Sequence, residues 1–260
     1  MTGYEKLLEV REIHKVYGDG QISTKALNSI TFDVLRGEFL GIMGASGSGK
    51  TTLLNCIATM IRPTSGSISL NGRNITSFKG TDLARYRGKK IGYLFQEFEL
   101  LDNLTAGENI SLPLSIHGES AAIRKERLKK LTRQLDIEDI LDKFPSQLSG
   151  GQKQRVAAAR ALICSPDIVL ADEPTGALDT KNSKVLMEKL SSINQNDGAS
   201  ILMVTHDANA ASFCSRILFL QDGAIFNELR KMSPEEDRSS FYERILSVMA
   251  LLGGGSANVL

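Results

Sequence analysis

Residues Gly44–Thr51 read GASGSGKT, with glycines at 44, 47 and 49 ahead of Lys50 and Thr51. Glycines at that spacing let a backbone turn tightly enough for its N–H groups to converge on a phosphate. The lysine adds a charge for the β and γ phosphates, and the threonine hydroxyl suits Mg²⁺. Such a loop needs a strand before it to hold it and a helix after it to aim a positive end at the anion. FLGIM, Phe39–Met43, reads as the strand, and LLNCIATMI, Leu53–Ile61, reads as the helix. A second candidate pair is Asp172 and Glu173, adjacent carboxylates that end the apolar run DIVLA. They fall at the carboxyl edge of an expected parallel sheet, where open α/β folds bind ligands. There Asp172 is suited to hold Mg²⁺ through water, and Glu173 to polarise a water that attacks the γ phosphate of ATP.

The elements that must position these groups are legible as alternating short strands and helices, the pattern of an α/β fold. FLGIM, IGYLF (Ile91–Phe95), DIVLADE (Asp167–Glu173) and ILMVTH (Ile201–His206) read as buried parallel strands. LLEVREIHKVY, ALNSITFDV and SISLNG alternate more and are separated by glycine-containing turns, which predicts an antiparallel sheet beside the core. From Leu101 to about Leu148 the strands stop and a helical insertion is expected. Within it, Ala121–Leu135 has apolar residues at helical spacing among many Lys and Arg and reads as a solvated helix face. After Gly223 a polar segment, a helix start at Ser233–Asp237 and the amphipathic FYERILSVMALL lead to a glycine run. The sequence leaves open whether this tail is a frayed end or an interaction helix.

The 260 residues carry a net charge of +1, which argues against a dedicated nucleic-acid surface. The three cysteines, Cys56, Cys164 and Cys214, are widely spaced and suggest neither a disulfide framework nor a metal site. No apolar run approaches the roughly 18 to 20 residues that cross a bilayer, and the first residues lack a signal-peptide core.

GASGSGKT, the Gln96 of YLFQE, LSGGQ at Leu148–Gln152, LADEPT ending at Thr175, the ALD of Ala177–Asp179 and the His206 of VTHD occur in a definite order. That order resembles the nucleotide-binding subunits of ABC transporters, from Tyr17 to about Gly223. LSGGQ is the specific part, since other P-loop ATPases lack it. The resemblance implies a P-loop NTPase (ABC ATPase) with a parallel core sheet, an antiparallel β subdomain and a helical insertion. Residues 1–230 would be the nucleotide-binding domain, with a helical subdomain at about 101–148, and residues 231–260 a helical extension. It also implies that Gly44, Ala45, Ser46, Gly47, Ser48, Gly49, Lys50, Thr51 and Thr52 hold ATP with Mg²⁺. Tyr17, in KVYG, looks like the aromatic that stacks on adenine. Gln96 looks like the link between the Mg²⁺ site and the helical subdomain, and His206 like the switch at the γ phosphate.

In that family Ser149, Gly150, Gly151 and Gln152 open a helix that caps a γ phosphate held by a second subunit, with Asp179 at the junction. The implied partners are therefore a second copy, in a head-to-tail dimer closed by ATP, and a separate membrane permease contacting the helical insertion and the surface near Gln96. The subunit would sit at the cytoplasmic face of the membrane through that permease. The segments LFQEFELLDNLTAGENISLPL, DEPTGALDTKNS and VTHDANAASFCSRILFLQDG are most similar to the bacitracin- and nisin-type resistance transporters, in which a sensor kinase is a typical partner. Lipoprotein-release, cell-division and macrolide-efflux cassettes share the same core. A soluble cassette acting on DNA or ribosomes is expected to show coiled-coil heptads, zinc cysteines or a second cassette, and a silent regulatory subunit is expected to lack some of Lys50, Asp172, Glu173 and His206. The sequence matches neither expectation.

Overall fold

The computed structural model describes residues 5–18, 23–233 and 235–254, with side chains as far as Leu251. It begins with β1 (Lys6–Tyr17), β2 (Thr24–Leu35), β3 (Phe39–Met43), α1 (Lys50–Ile57), β4 (Ser65–Leu70) and the short β5 (Arg73–Asn74). Next come α2 (Gly80–Arg85), a π-helical turn (Tyr86–Lys90), β6 (Ile91–Leu94), α3 (Ala106–Ile116) and α4 (Ala121–Gln134). Two short 3-10 turns lead to α5 (Gly150–Leu162), β7 (Ile168–Asp172) and α6 (Thr180–Asp197). β8 (Ile201–Thr205), α7 (Ala208–Ala211), β9 (Arg216–Gln221), β10 (Ala224–Arg230) and α8 (Arg238–Gly254) follow. The chain forms two compact units, one of residues up to 76 and from 203 onward, the other of residues 77–202.

In the first unit, β2, β1, β4 and β5 make the expected antiparallel sheet in that order. Val10 pairs with Phe32 and Ile13 with Ile30, all buried, with an irregularity between them at Glu12, whose φ is 47°. The strand before the phosphate loop, β3, is buried at every position, as a strand covered on both faces must be, and it runs parallel to β9. β10 pairs antiparallel with β9 and was not foreseen in the polar stretch after Gly223. The half-exposed alternation of AIFNELR reads weakly as a strand because the residues on one side face water. Residues 19–22 of the loop after Tyr17 and the end of the terminal glycine run lie outside the described residues.

Two boundaries differ from expectation for local reasons. α1 begins at Lys50, directly after the left-handed Gly49, and gives way at Ala58, just before Thr59, whose φ is 59°, so Ala58–Ile61 are not part of it. α8 starts at Arg238 rather than in the segment Ser233–Asp237, because the Asp237 carboxylate accepts from the Ser239 N–H at 2.9 Å and acts as its start signal. α8 belongs to the core of this unit, with Phe241 and Ile245 fully buried, and it packs on α7.

In the second unit β6 and β7 pair in parallel, Ile91 opposite Ile168 and Leu94 opposite Ala171. Among the described residues no strand occurs between Leu101 and Leu148, and α3 and α4 fill that stretch. α3 starts at a reciprocal cap between Thr105 and Glu108. Lys125, Lys129, Lys130 and Arg133 of α4 face water, while its Leu131 and Thr132 are buried. α5 buries Ala157, Ala158, Ala159 and Ala161, small side chains that let neighbouring backbone approach closely.

Candidate functional site

The phosphate loop stands in the first unit, between the fully buried β3 and α1. Gly49 adopts φ 102°, and a Cβ there would lie 2.5 Å from the carbonyl oxygen of Ala26, so both conformation and space demand glycine. The Ser48 N–H donates to the Ala45 carbonyl at 3.2 Å and the Gly223 N–H to the Ser48 carbonyl at 3.1 Å, which ties the loop to the turn after β9. The Ser48 hydroxyl is buried without a hydrogen-bond partner. Lys50 is only 7% exposed, and its ammonium donates to the carbonyls of Gly44 at 2.8 Å and Ala45 at 2.9 Å. No side chain caps the start of α1, and its first turn holds no acidic residue. A buried ammonium, a helix start without an anionic cap and a curled glycine loop offer the kinds of donor that phosphate oxygens accept from. Ala45, Ser46, Gly47 and Thr51 are exposed around it, with Gly44 and Thr52 partly so.

His206 is the first exposed residue after the fully buried β8. Around it the Asp207 N–H donates to the Thr205 hydroxyl at 3.0 Å, and the Asp207 carboxylate caps α7 by accepting from the Asn209 N–H at 2.8 Å. Tyr17 ends β1, 43% exposed, with the Lys15 ammonium 4.8 Å from its ring centre.

The second unit gathers the carboxylates, Gln96, the LSGGQ segment and Asp179. Asp172 ends β7 and accepts from the Tyr93 hydroxyl at 3.3 Å. Burial, followed by that neighbouring negative charge, pushes the Tyr93 phenol well above its ordinary value, so it stays a proton donor. Glu173 is 9% exposed and holds φ 45°, a left-handed backbone that a residue of its kind adopts at a cost of order 1–3 kcal/mol. The turn closes when the Gly176 N–H donates to the Glu173 carbonyl at 2.9 Å. Gln96 is exposed and lies over Gly176, where a Cβ would come within 3.1 Å of its amide nitrogen.

Ser149 and Gln152 form a reciprocal cap on α5. The Ser149 hydroxyl accepts from the Gln152 N–H at 3.3 Å, and the Gln152 side chain accepts from the Ser149 N–H at 2.9 Å. The Ser149 hydroxyl keeps its own hydrogen for a further acceptor. Gly150 is exposed, while Gly151 abuts Asn182 so closely that a Cβ would clash. Asn182 donates to the Asp179 carboxylate through its backbone at 2.8 Å and its side chain at 2.7 Å, and these bonds hold Asp179 below the usual aspartate range. The glycine of the LSGGQ segment is thus in contact with the start of α6, which Asp179 caps.

Sequence reasoning missed Gln154, Arg160 and Tyr93. Tyr93 lies within YLFQE and Gln154 just after LSGGQ, while Arg160 lies further along the same helix, and none belongs to the residues whose chemistry announces itself. Their partners are backbone carbonyls or a carboxylate distant in sequence.

Residues 27–176, over half of the chain, match the ABC transporter family. The chain is 50% identical over 250 residues to the ABC transporter ATP-binding protein YxdL of Bacillus subtilis, covering 96% of each. It is 47% identical over 248 residues to the bacitracin export ATP-binding protein BceA of Halalkalibacterium halodurans, covering 95% of this chain and 97% of that one. Among solved structures it is similar to the dimeric ATP-binding cassette MJ0796 of Methanocaldococcus jannaschii in a post-hydrolysis state bound to ADP and Pi. That likeness has a TM-score of 0.79 at 38% identity and covers 86% of this chain and 98% of the other. With the glycine loop, the left-handed turn at Glu173 and the capped LSGGQ helix in place, the chain belongs to the ABC transporter family, as an ATP-binding subunit that hydrolyses ATP to drive transport.

Proposed function

We propose that this ATPase powers a separate membrane permease for resistance to, or export of, antimicrobial peptides. The observation that carries this is the near full-length likeness to a bacitracin export ATP-binding protein, at 47% identity. Among the described residues no helix is long and apolar enough to cross a membrane, in keeping with a subunit that reaches the membrane's cytoplasmic face through a partner. An apolar cleft of about 790 Å³ within the second unit, lined by Tyr93, Leu112, Ile116 and Cys164 among others, suits a docking segment of that permease. A sensor kinase is a further expected partner. Residues 1–230 act as the nucleotide-binding domain, with its helical part at about 101–148, and residues 231–260 as its extension.

In this reading Lys50 and the loop amides bind the β and γ phosphates, Tyr17 stacks on adenine, and Glu173 takes the proton of the attacking water. His206 and Gln96 sense the γ phosphate and its surroundings. Ser149, Gly150, Gly151 and Gln152 complete the site of a second copy in a head-to-tail dimer, with Asp179 at the junction. Mg²⁺, when bound, neutralises developing phosphate charge. Thr51, Gln96 and Asp172 would hold it, and so small a set fits a cation that keeps waters and phosphate oxygens as its remaining ligands. Among the described residues no cluster of three or more His, Cys, Asp or Glu could hold a metal without them.

The test is a tagged Glu173→Gln variant, purified from its native cell membranes with ATP and Mg²⁺, followed by identification of its companions. A permease with an extracellular domain, together with a sensor kinase, supports the reading. Lipoprotein-release permeases, or nucleic-acid complexes without a permease, overturn it.

A further inference from the structure

Gln154 is fully buried, and its amide nitrogen donates to two backbone carbonyls, Phe95 at 3.0 Å and Pro174 at 2.8 Å. Phe95 immediately precedes Gln96, and Pro174 immediately follows Glu173. Carbonyls only accept, so the –NH₂ end must face both of them. The other end of the amide, Oε1, is buried without a hydrogen-bond partner. An apolar side chain would fill the space without stranding that oxygen, so what the glutamine supplies is the pair of donors.

The surroundings give those donors a purpose. Glu173 holds the left-handed φ of 45°, and strained backbone persists only where neighbours over-determine it. The bond from Gln154 to Pro174 and the bond from the Gly176 N–H to the Glu173 carbonyl grip the chain just after that residue. Six residues further along α5, Arg160 donates to the carbonyls of Phe98, at 2.9 Å, and Glu99. α5 therefore holds the segment 95–99 at both ends, and Gln154 extends the same grip to the Glu173 turn.

We infer that Gln154 is a positioning residue for ATP hydrolysis: it ties the backbone beside Glu173 to the backbone beside Gln96 through the helix that LSGGQ opens. Any displacement of α5 then reaches the general base and the Gln96 segment together. The inference rests on the assignment of Glu173 as the general base.

The experiment is a double-mutant cycle between Gln154→Met and Glu173→Gln, read by single-turnover ATP hydrolysis, with nucleotide affinity and thermal midpoint measured on each variant. Methionine keeps the length and removes both donors. Gln154→Met is expected to lower the hydrolysis rate about 10- to 100-fold, as small misplacements of a reacting group do, with nucleotide affinity unchanged. In the Glu173→Gln background it is expected to cost nothing further, since the group it positions is already gone. An unchanged rate in folded Gln154→Met, or an equal loss in both backgrounds, overturns the inference. If Gln154→Met does not fold, Gln154→Leu, which also lacks both donors and brings no charge into the buried site, replaces it. Failure of both to fold assigns Gln154 to stability alone and also overturns it. Failure of the Glu173 assignment is separate, because Glu173→Gln by itself would then keep its turnover.

Discussion

The Lys50 ammonium donates to the Gly44 carbonyl at 2.8 Å, so the charged residue near the end of the phosphate loop closes back on the residue that begins it. The same ammonium serves the Ala45 carbonyl and is buried. Lys50→Ala removes a cation that is already desolvated and aimed, and leaves two carbonyls short of a donor. A hydrogen bond to a charged group contributes about 1.5–3 kcal/mol. ATP affinity is therefore expected to fall roughly 10- to 100-fold. Calorimetry with ATP checks this, and an unchanged affinity would remove Lys50 from the phosphate site.

The contrast between Lys50 and Gln154 shows what a sequence discloses. Lys50 is legible because its chemistry depends on glycines a few residues away, and local spacing survives in a string. Asp172 and Glu173 are legible because an apolar run of strand length points to its own end. Gln154 has no such local sign, since both of its partners are backbone carbonyls, one 59 and one 20 residues away. The strain at Glu173 is equally silent, because a φ of 45° is imposed by the turn that follows and not by the identity of the residue. β10 escaped because an edge strand with one wet face carries only a faint alternation, whereas the fully buried β3 and β8 stand out as unbroken apolar runs.

Ile116, at the end of α3, is 72% exposed on the lining of the apolar cleft. A large aliphatic side chain left in water at the rim of such a cleft has little to do for the isolated fold. Ile116→Asp is expected to leave the stability of the isolated subunit within about 0.5 kcal/mol, as surface substitutions usually do. Basal ATP turnover should also persist. Co-purification with the permease should fall by tenfold or more, since a carboxylate in place of an apolar contact must shed its water for docking to occur, even beside the Arg85, Arg87 and Lys89 that also line the cleft. Undiminished co-purification would move the docking surface elsewhere.

Arg216 reaches Glu38 and Glu228 at once: it sits 3.4 Å from the first and makes two bonds of 3.0 Å to the second. The Arg216 and Glu38 side chains are each 8% exposed. Arg216→Met strands a buried carboxylate and is expected to destabilise the protein by about 3–5 kcal/mol at neutral pH. The pH dependence has a definite sign. Burial raises the pKa of Glu228, but hydrogen bonds from Arg216 and Arg230 outweigh it, and the carboxyl titrates below its ordinary 4.5. Its contribution is thus complete above pH 4.5 and is lost as the pH falls through the lower folded value. Urea titrations from pH 7 to pH 3 should show the gap between the two proteins narrowing as Glu228 takes up its proton below about pH 4.5. A gap that stays constant would mean that Glu228 is not held by Arg216.

Phe241 decides what the C-terminal helix is. Its ring is fully buried, with the Lys231 ammonium and the Arg244 guanidinium each 5.6 Å from its centre. Nearby, Arg244 pairs with Glu236 at 2.6 Å, and Arg238 stacks 4.5 Å from the centre of the Phe213 ring, just after α7. A frayed end would tolerate truncation of this ring within about 0.5 kcal/mol. A docked helix would not, because removing a buried phenyl group forfeits its transfer energy and leaves a cavity. Phe241→Ala is therefore expected to cost about 3–5 kcal/mol, read as a lower denaturant midpoint at unchanged slope. Leu251→Ala is the control on the same helix: that side chain is 69% exposed, and its loss should cost almost nothing. Because α7 begins two residues after His206 and packs on α8, Phe241→Ala should also raise hydrogen exchange at Asn209–Ser212. Exchange that stays as slow as in the parent protein would separate the helix from the histidine and leave α8 a purely structural strap.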